Sequence, residues 1–372
     1  MSNDLQFRRN KYHELSTDLV HFNTDQLKAL VQGDVDPTHG WGVNHTITIV
    51  KSKIFVKSVP VTYLEYALPF ATKNLYDLPT YYNYGVGSAG FGVWRELVTH
   101  IKTTNWVLSG ACENFPLMYH SRMIPRTGEY SIIDQERHER YVTYWNSNQN
   151  IGQYMLDRRN AKYELVLFLE YFPFVLDSWL GKNTAQLDLF LSELRDTITF
   201  LRNNGIIHFD AHLGNTVTEG ERPYLTDFGL VLDKRFDLSE SERALFKPNS
   251  HYDYGEILTG LGWLIRRKFE ELSESKQKKV LQKYGLTTDT PWPQRYRTFL
   301  ENVQSLQADG AMNLDKILVD AILKYRDIIL LMLKFFTDMR ENNRKDTKFK
   351  NAKLRRLLEE SGFLHKFSKN TS

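Results

Sequence analysis

Cysteine is almost missing from this chain, with Cys112 the sole example in 372 residues. An internal disulfide framework is therefore excluded, and a reducing compartment suits the protein. No His or Asn constellation accompanies Cys112, so it reads as a packed side chain rather than a nucleophile. Long apolar runs are missing too. The greasiest stretch, Ile328 to Leu333, stops at Lys334 and is far too short to span a bilayer. Met1 to Asn10 is polar and lacks the apolar core of a secretory signal. Charge of one sign is scarce: 48 Lys and Arg against 45 Asp and Glu leave a net +3, too little to argue for nucleic acid. Repeats and low-complexity tracts are absent. A soluble, cytoplasmic protein is expected, with apolar and charged fractions that allow a sizeable core. Aromatic residues are plentiful from Tyr63 to Tyr84 and from Tyr141 to Trp145, where packing of long surface loops is the expected reason.

What is present is concentrated between Ile207 and Val231. The chain reads His208-Phe209-Asp210-Ala211-His212-Leu213-Gly214-Asn215, and later Thr226-Asp227-Phe228-Gly229. An Asp is thus followed five residues later by an Asn, and twelve residues after that by a second Asp. Phosphoryl transfer from a nucleotide needs three such groups. One carboxylate orients the attacking hydroxyl and accepts its proton, while an amide and a second carboxylate hold magnesium against the phosphates. Each short motif is common alone; order and context give them weight. Leu191 to Leu201 has helical apolar spacing, Asn203-Asn204-Gly205 stops that helix, Ile206-Ile207 is a short strand, and Pro223-Tyr224-Leu225 leads into the second motif.

At these residues the chain resembles the protein-kinase-like superfamily. The resemblance implies an α+β, bilobal fold. Residues 1–170 would form an N-terminal antiparallel β-sheet lobe with a helix, an N-terminal extension and an insertion at 61–90. Residues 171–372 would form a helical catalytic lobe with a basic tail. ATP and Mg2+ are the implied cofactors. Carried over by position, Asp210 would be the base and Asn215 and Asp227 the metal ligands. His45 to Val50 and Lys53 to Val59 read as strands, and Ile54-Phe55-Val56-Lys57 resembles the strand whose lysine reaches the phosphates. Glu96, 39 residues further on, is the carboxylate expected to hold Lys57, since Glu65 lies too close behind it.

Gly85-Val86-Gly87-Ser88-Ala89-Gly90-Phe91-Gly92 has the spacing of a kinase glycine-rich loop, but it follows Lys57 instead of preceding it. Lys102 would restore the order, yet Thr99 to Thr104 lacks the apolar run of a strand. Gly40-Trp41-Gly42 is therefore assigned to the phosphate hairpin, with Gly40 and Gly42 near the nucleotide. The later loop is either a flexible turn before a helix or a backbone-amide approach to phosphate at that helix N-terminus. Leu165 to Phe172 resembles the inter-lobe hinge. The backbone of Glu170 and Phe172 would pair with adenine, Leu169 would be the gatekeeper, and Asp177 would touch ribose. Asp253 would anchor the catalytic-loop backbone.

Elsewhere the periodicity predicts helices over Asp18 to Gln32, Thr184 to Asn203, His251 to Arg266, Ser273 to Tyr284, Pro293 to Leu306 and Leu314 to Met339. Asn114 to Ile124 reads as a strand, and Thr127 to Arg158 as a polar, loop-rich stretch. The basic tail, Arg340 to Lys369, reads as a solvated amphipathic helix, with attraction to an acidic partner or a membrane surface as the alternative.

The acceptor is less well defined. His212 stands where eukaryotic-type protein kinases carry Lys, Phe209 replaces the Arg that reads a phosphorylated activation loop, and no Ala-Pro-Glu follows Asp227. The Asp-x-His-x-x-Asn pattern looks like aminoglycoside and choline phosphotransferases, whereas the lysine strand and the Leu-Glu-Tyr hinge resemble protein kinases. An atypical Ser/Thr protein kinase acting on a protein substrate is the expectation. The alternatives are a kinase of small-molecule alcohols and a pseudokinase binding module, and retention of all three polar groups disfavours the last.

Overall fold

The structure, a computed structural model, describes residues 3–31, 43–126 and 134–364. Gly40, Trp41 and Gly42, assigned above to a phosphate hairpin, lie outside them. The chain opens with two helices, α1 (Asn3–His21) and α2 (Thr24–Val31), where the sequence pattern marked one helix from Asp18. The missed part is polar, and its position comes from a few deep contacts. Leu5, Leu15 and Leu19 are buried, and so is Arg8. The Arg8 guanidinium donates to both carboxylate oxygens of Glu170, at 3.1 and 2.7 Å, and to the carbonyls of Glu113 and Phe115.

A hairpin follows, β1 (Val43–Ile49) and β2 (Ser52–Val61). Its turn residues, Val50 and Lys51, both take positive φ, 46° and 66°, so the turn twists with the strands. After α3 (Tyr63–Ala67) and a glycine-rich segment comes α4 (Val93–Ser109), then β3 (Met118–Pro125). Helices α5 (Gln135–Tyr144) and α6 (Gln149–Arg159) precede β4 (Tyr163–Glu170). The four strands form an antiparallel sheet in the order β1-β2-β4-β3.

Strand alternation decides which way Lys57 points. It sits opposite Leu167, so it shares a face with Val59, Val61, Leu165 and Leu169. That face packs against Trp94 and Leu97 of α4. On the other face Ile54, Val56, Val166 and Phe168 are buried as well. A sheet covered on both sides explains the unbroken apolar run from Leu165 to Leu169.

Two expectations are corrected here. Thr127 to Arg158 is not loop-rich where it is described, because α5 and α6 fill it. Asp134 and Asn148 cap these helices by accepting the N–H groups of Arg137 and Ile151. Nor do all the aromatic residues pack surface loops: Tyr63, Tyr66 and Phe70 are exposed, but others are not. Tyr82 and Trp145 are fully buried and meet edge to face at 4.8 Å, and Leu78, Tyr84 and Val86 are buried beside them. The insertion is thus part of the core.

Beyond β4, helices dominate. A short strand β5 (Phe174–Val175) leads into α7 (Leu176–Leu180) and α8 (Leu187–Asn203). Four two- or three-residue strands follow: β6 (Ile206–Ile207), β7 (Thr216–Thr218), β8 (Pro223–Leu225) and β9 (Leu232–Asp233). Next come α9 (Glu240–Ala244), α10 (Tyr252–Glu270), α11 (Glu274–Lys283), α12 (Trp292–Glu301), α13 (Val303–Ala308), α14 (Lys316–Glu341) and α15 (Asn351–Glu360). The helix expected over Pro293 to Leu306 is divided at Asn302. Leu318, Ile322, Tyr325, Ile329, Met332, Phe336 and Met339 form the buried stripe of α14, which packs on α10. In the tail, α15 buries Leu354 and Leu358 and leaves its charged face outward. Cys112 is partly buried against the core. The architecture is α+β with antiparallel sheets, and no described helix is long and apolar enough to cross a membrane.

One buried ion pair joins the sheet's helix to the later part of the chain. Arg95 of α4 donates to Glu242 of α9 at 2.7 Å, and each side chain is 1% exposed. Arg95 Nε also donates to the Thr72 carbonyl at 2.7 Å. Removing the carboxylate would strand a buried guanidinium, so Glu242→Ala is expected to lower unfolding free energy by about 3–5 kcal/mol. Urea denaturation measures this; a loss below about 1 kcal/mol would show that Arg95 does not depend on the pair.

Candidate active site

The local fold around Asp210 and Asp227 is built from two loops that share their supports. One loop runs from β6 to β7, the other from β8 to β9. Since β6 pairs with β9 and β7 pairs with β8, each loop is tied at both ends to the other's strands. Backbone bonds add to this: Thr226 N–H donates to the Asn215 carbonyl at 3.0 Å. Leu213, beside Asn215, packs on α10 where Gly260 leaves room; a Cβ there would lie 2.4 Å from Leu213 Cγ.

Asp253, at the start of α10, holds the first loop from below. Its carboxylate accepts the N–H of His208 at 2.8 Å and of Phe209 at 2.9 Å. Burial pushes its pKa up to about 6, and those two amides act in the opposite direction. Phe209 itself takes φ 63°, as does Asp227. Positive φ at two non-glycine residues is strain, held here by the surrounding bonds. Behind the loops, the ring of Phe228 contacts His208 at 5.5 Å and His100 of α4 at 4.7 Å. Burial pulls the pKa of His208 down to about 4 and that of His100 to about 3, so both are neutral near pH 7. Neither ring nitrogen of His100 has a hydrogen-bond partner among the described residues.

The polar groups expected from sequence meet above this frame. Lys57 Nζ lies 2.6 Å from Glu96 Oε1 and 3.0 Å from Asp227 Oδ1. Burial works against its charge, yet the two carboxylates hold its pKa above the ordinary lysine value. Asp227 is likewise penalised by burial, but Lys57 draws it down to about 2. Asn215 Nδ2 donates to Asp210 twice, to the carbonyl at 3.0 Å and to Oδ2 at 2.8 Å. His212 Nε2 lies 3.5 Å from Asp210 Oδ1. Burial raises the Asp210 pKa, while the field at its carboxylate includes Asp227 and Lys57. These residues therefore occupy one electrostatic neighbourhood. An ionised carboxylate, a raised-pKa carboxylate, an amide and a fixed ammonium are suited to binding polyanionic oxygens and moving a proton.

Other expected positions fall differently. Glu170 is committed to the chain itself: its side chain is taken by Arg8, and its N–H donates to the Leu117 carbonyl at 2.8 Å. Phe172 stacks on Tyr224 with centroids 4.0 Å apart. Asp177, the residue expected at ribose, accepts from Arg267 at 2.7 Å. Lys102 pairs with Asp233 at 2.6 Å, on a helix and away from the strand position that a phosphate lysine needs. Glu65, set aside for its short spacing, caps α4: its carboxylate accepts Val93 N–H at 2.9 Å, and its carbonyl accepts Trp94 Nε1 at 2.8 Å. A carboxylate at that helix end opposes phosphate binding there. The segment Gly85–Gly92 is not a flexible turn either, since Phe91 N–H donates to the Gly229 carbonyl at 3.0 Å.

His100 yields a pH test. Its folded pKa lies below the ordinary imidazole value of 6.5, so the unfolded chain takes up a proton that the folded chain refuses. Its contribution to stability is whole above about pH 6.5 and is lost as pH falls towards the folded value. Unfolding free energies of wild type and His100→Leu, measured between pH 7.5 and 4.5, are expected to diverge in the variant's favour by about 1.4 kcal/mol per pH unit below about pH 6.5. Parallel curves would remove His100 from the acid response. No protein-family model matches this chain, and no curated protein matches it.

Proposed function

We propose that this protein is an ATP-dependent phosphotransferase of bilobal, protein-kinase-like fold that transfers the γ-phosphate to a hydroxyl, as an atypical Ser/Thr protein kinase. The observation that carries the reading is the placement of Lys57 between Glu96 and Asp227, with Asp210 and Asn215 in the same field. In this reading the four-stranded sheet and α4 form the nucleotide lobe, and the loops from His208 to Gly229 form the catalytic edge of the helical lobe.

The donor set fits magnesium. Asn215 spends its Nδ2 on Asp210, and Asp227 spends Oδ1 on Lys57; among the described residues no hydrogen bond falls on Asn215 Oδ1 or Asp227 Oδ2. Among the described residues there is no group of three or more His, Cys, Asp or Glu side chains placed to hold a metal. Magnesium characteristically takes one or two protein oxygens and completes its shell with phosphate and water. When bound with ATP it would neutralise phosphate charge. Lys57, oriented by Glu96, would bind phosphate oxygens, and Phe172, whose N–H has no main-chain partner among the described residues, would offer it to the adenine edge. Asp210, steadied by Asn215, would orient the acceptor hydroxyl and receive its proton; the raised pKa makes it a better base for that task. The helix carrying Glu96 is already held by carboxylates, Glu242 on Arg95 and Asp233 on Lys102, so activation-loop phosphate has no obvious vacancy to fill.

A protein acceptor follows from the lysine strand and the hinge. A small-molecule alcohol is the second reading, favoured by His212 beside Asp210. Incubation with γ-labelled ATP and magnesium, in the presence of cell extract, separates the two. Labelled protein bands are expected, falling about 10²–10⁴-fold in Asp210→Ala. Label in small metabolites would move the assignment to the second reading, and the absence of any Asp210-dependent label would overturn phosphotransfer.

A further inference from the structure

The segment from Tyr82 to Gly92 has a place in the site that its spacing does not foretell. It joins the strand of Lys57 to the helix of Glu96 by crossing the catalytic loop. Tyr84 fixes it there: its hydroxyl donates to Asn249 Oδ1 at 3.0 Å, and its ring packs against Phe209, Tyr252 and Phe335 with centroids 5.0–5.7 Å apart. Tyr144 donates to the Val86 carbonyl at 2.7 Å, and Ala89 N–H donates to the Tyr82 hydroxyl at 3.0 Å. At its far end, Phe91 N–H bonds the Gly229 carbonyl. One rigid strap therefore touches the Asp210 loop and the Asp227 turn before becoming α4.

Gly85 is the point of closest approach. A Cβ placed on it would lie 2.2 Å from Asp210 Oδ1, 3.2 Å from Cγ and 3.4 Å from the Phe209 carbonyl oxygen. Gly85 is not among the glycines of positive φ, so alanine is allowed there by its backbone. The constraint is space alone. On its other side the same carboxylate is held by Asn215, through Oδ2. The carboxylate is thus confined between an amide donor and a bare glycine.

We propose that Gly85 is a positioning residue for Asp210: the strap closes one side of the carboxylate and fixes the rotamer in which Oδ1 meets the acceptor hydroxyl. This rests on the phosphotransfer reading above. A methyl group at position 85 meets the end of a movable side chain before it meets backbone. The fold can therefore relax by turning the carboxylate aside, while the base loses its aim. A displacement of about 1 Å at a reacting group is enough to cost on the order of a hundredfold in rate. The three atoms nearest to that Cβ belong to Asp210 and Phe209, not to Lys57, Glu96 or Asp227, so nucleotide binding is expected to be left in place.

The experiment compares wild type, Gly85→Ala, Asp210→Asn and the double variant under saturating magnesium-ATP. Gly85→Ala is expected to lower kcat about a hundredfold or more, with KM for ATP and melting temperature close to wild type. In the Asp210→Asn background the same substitution is expected to have no further effect, because its target is already disabled. Tyr84→Phe, which loses only the Asn249 bond, is expected to lower kcat by a smaller factor. An active wild type whose Gly85→Ala form keeps its kcat overturns the inference and leaves phosphotransfer intact. So does a loss that appears equally on the Asp210→Asn background, or one that falls on KM alone. A wild type with no Asp210-dependent transfer overturns both.

Discussion

Lys57 is a single ammonium, removed from solvent and held by two carboxylates that arrive from different directions. Burying Lys57 or Glu96 alone would be costly, and the group is tolerable because Lys57 contacts both buried Glu96 and the more exposed Asp227 directly. That requirement reaches far into the structure. Strand alternation must turn Lys57 towards α4, α4 must present Glu96, and the turn at Asp227 must be fixed although its φ of 63° is strained. The ion pairs Arg95–Glu242 and Lys102–Asp233 serve the second condition, because both draw α4 onto the segment that follows Gly229. The paired strands beneath the two loops serve the third.

The rest of the site follows the same logic of satisfied polar groups. Asp253 gives its carboxylate to two main-chain amides, so the loop bearing Asp210 is positioned by a group outside that loop. Asn215 donates to Asp210 and retains its own oxygen for other work. Behind them His208, Phe228 and His100 form a dry contact that couples the loops to α4. The proposed chemistry would thus rely on groups whose geometry is set by neighbours, which is how electrostatic preorganisation is obtained.

The contacts of Lys57 with Glu96 and Asp227, and the hold of Asp253 on the loop of Asp210, match what the resemblance of the two motifs and the lysine strand to the protein-kinase-like superfamily implied. The role of the glycine-rich segment stayed open between a flexible turn and an amide approach to phosphate, since spacing alone cannot reveal a strap that needs bare backbone. Glu65 was set aside as the partner of Lys57, and Glu96 does hold that place; its capping of α4 depends on spatial proximity to a helix end, which sequence distance does not show. The first part of α1, and α6, escaped notice because their place comes from buried contacts such as Arg8–Glu170 and those of Tyr154 and Met155, with little apolar periodicity to announce them. The aromatic residues around Tyr82 and Trp145 were read as surface for want of a partner in their own stretch of chain.

Local chemistry, then, was settled by the amino-acid order: the two motifs, the lysine strand, the long amphipathic helices, and an α+β architecture with antiparallel strands. These depend on interactions within a few residues or on periodicity along one element. What only the tertiary structure decided is which distant groups share a surface: Gly85 against Asp210, Arg8 against Glu170, Arg95 against Glu242. Such pairings, separated by more than a hundred residues, arise from how buried charges and close-packed backbone find partners once the core has formed, and no local pattern encodes them.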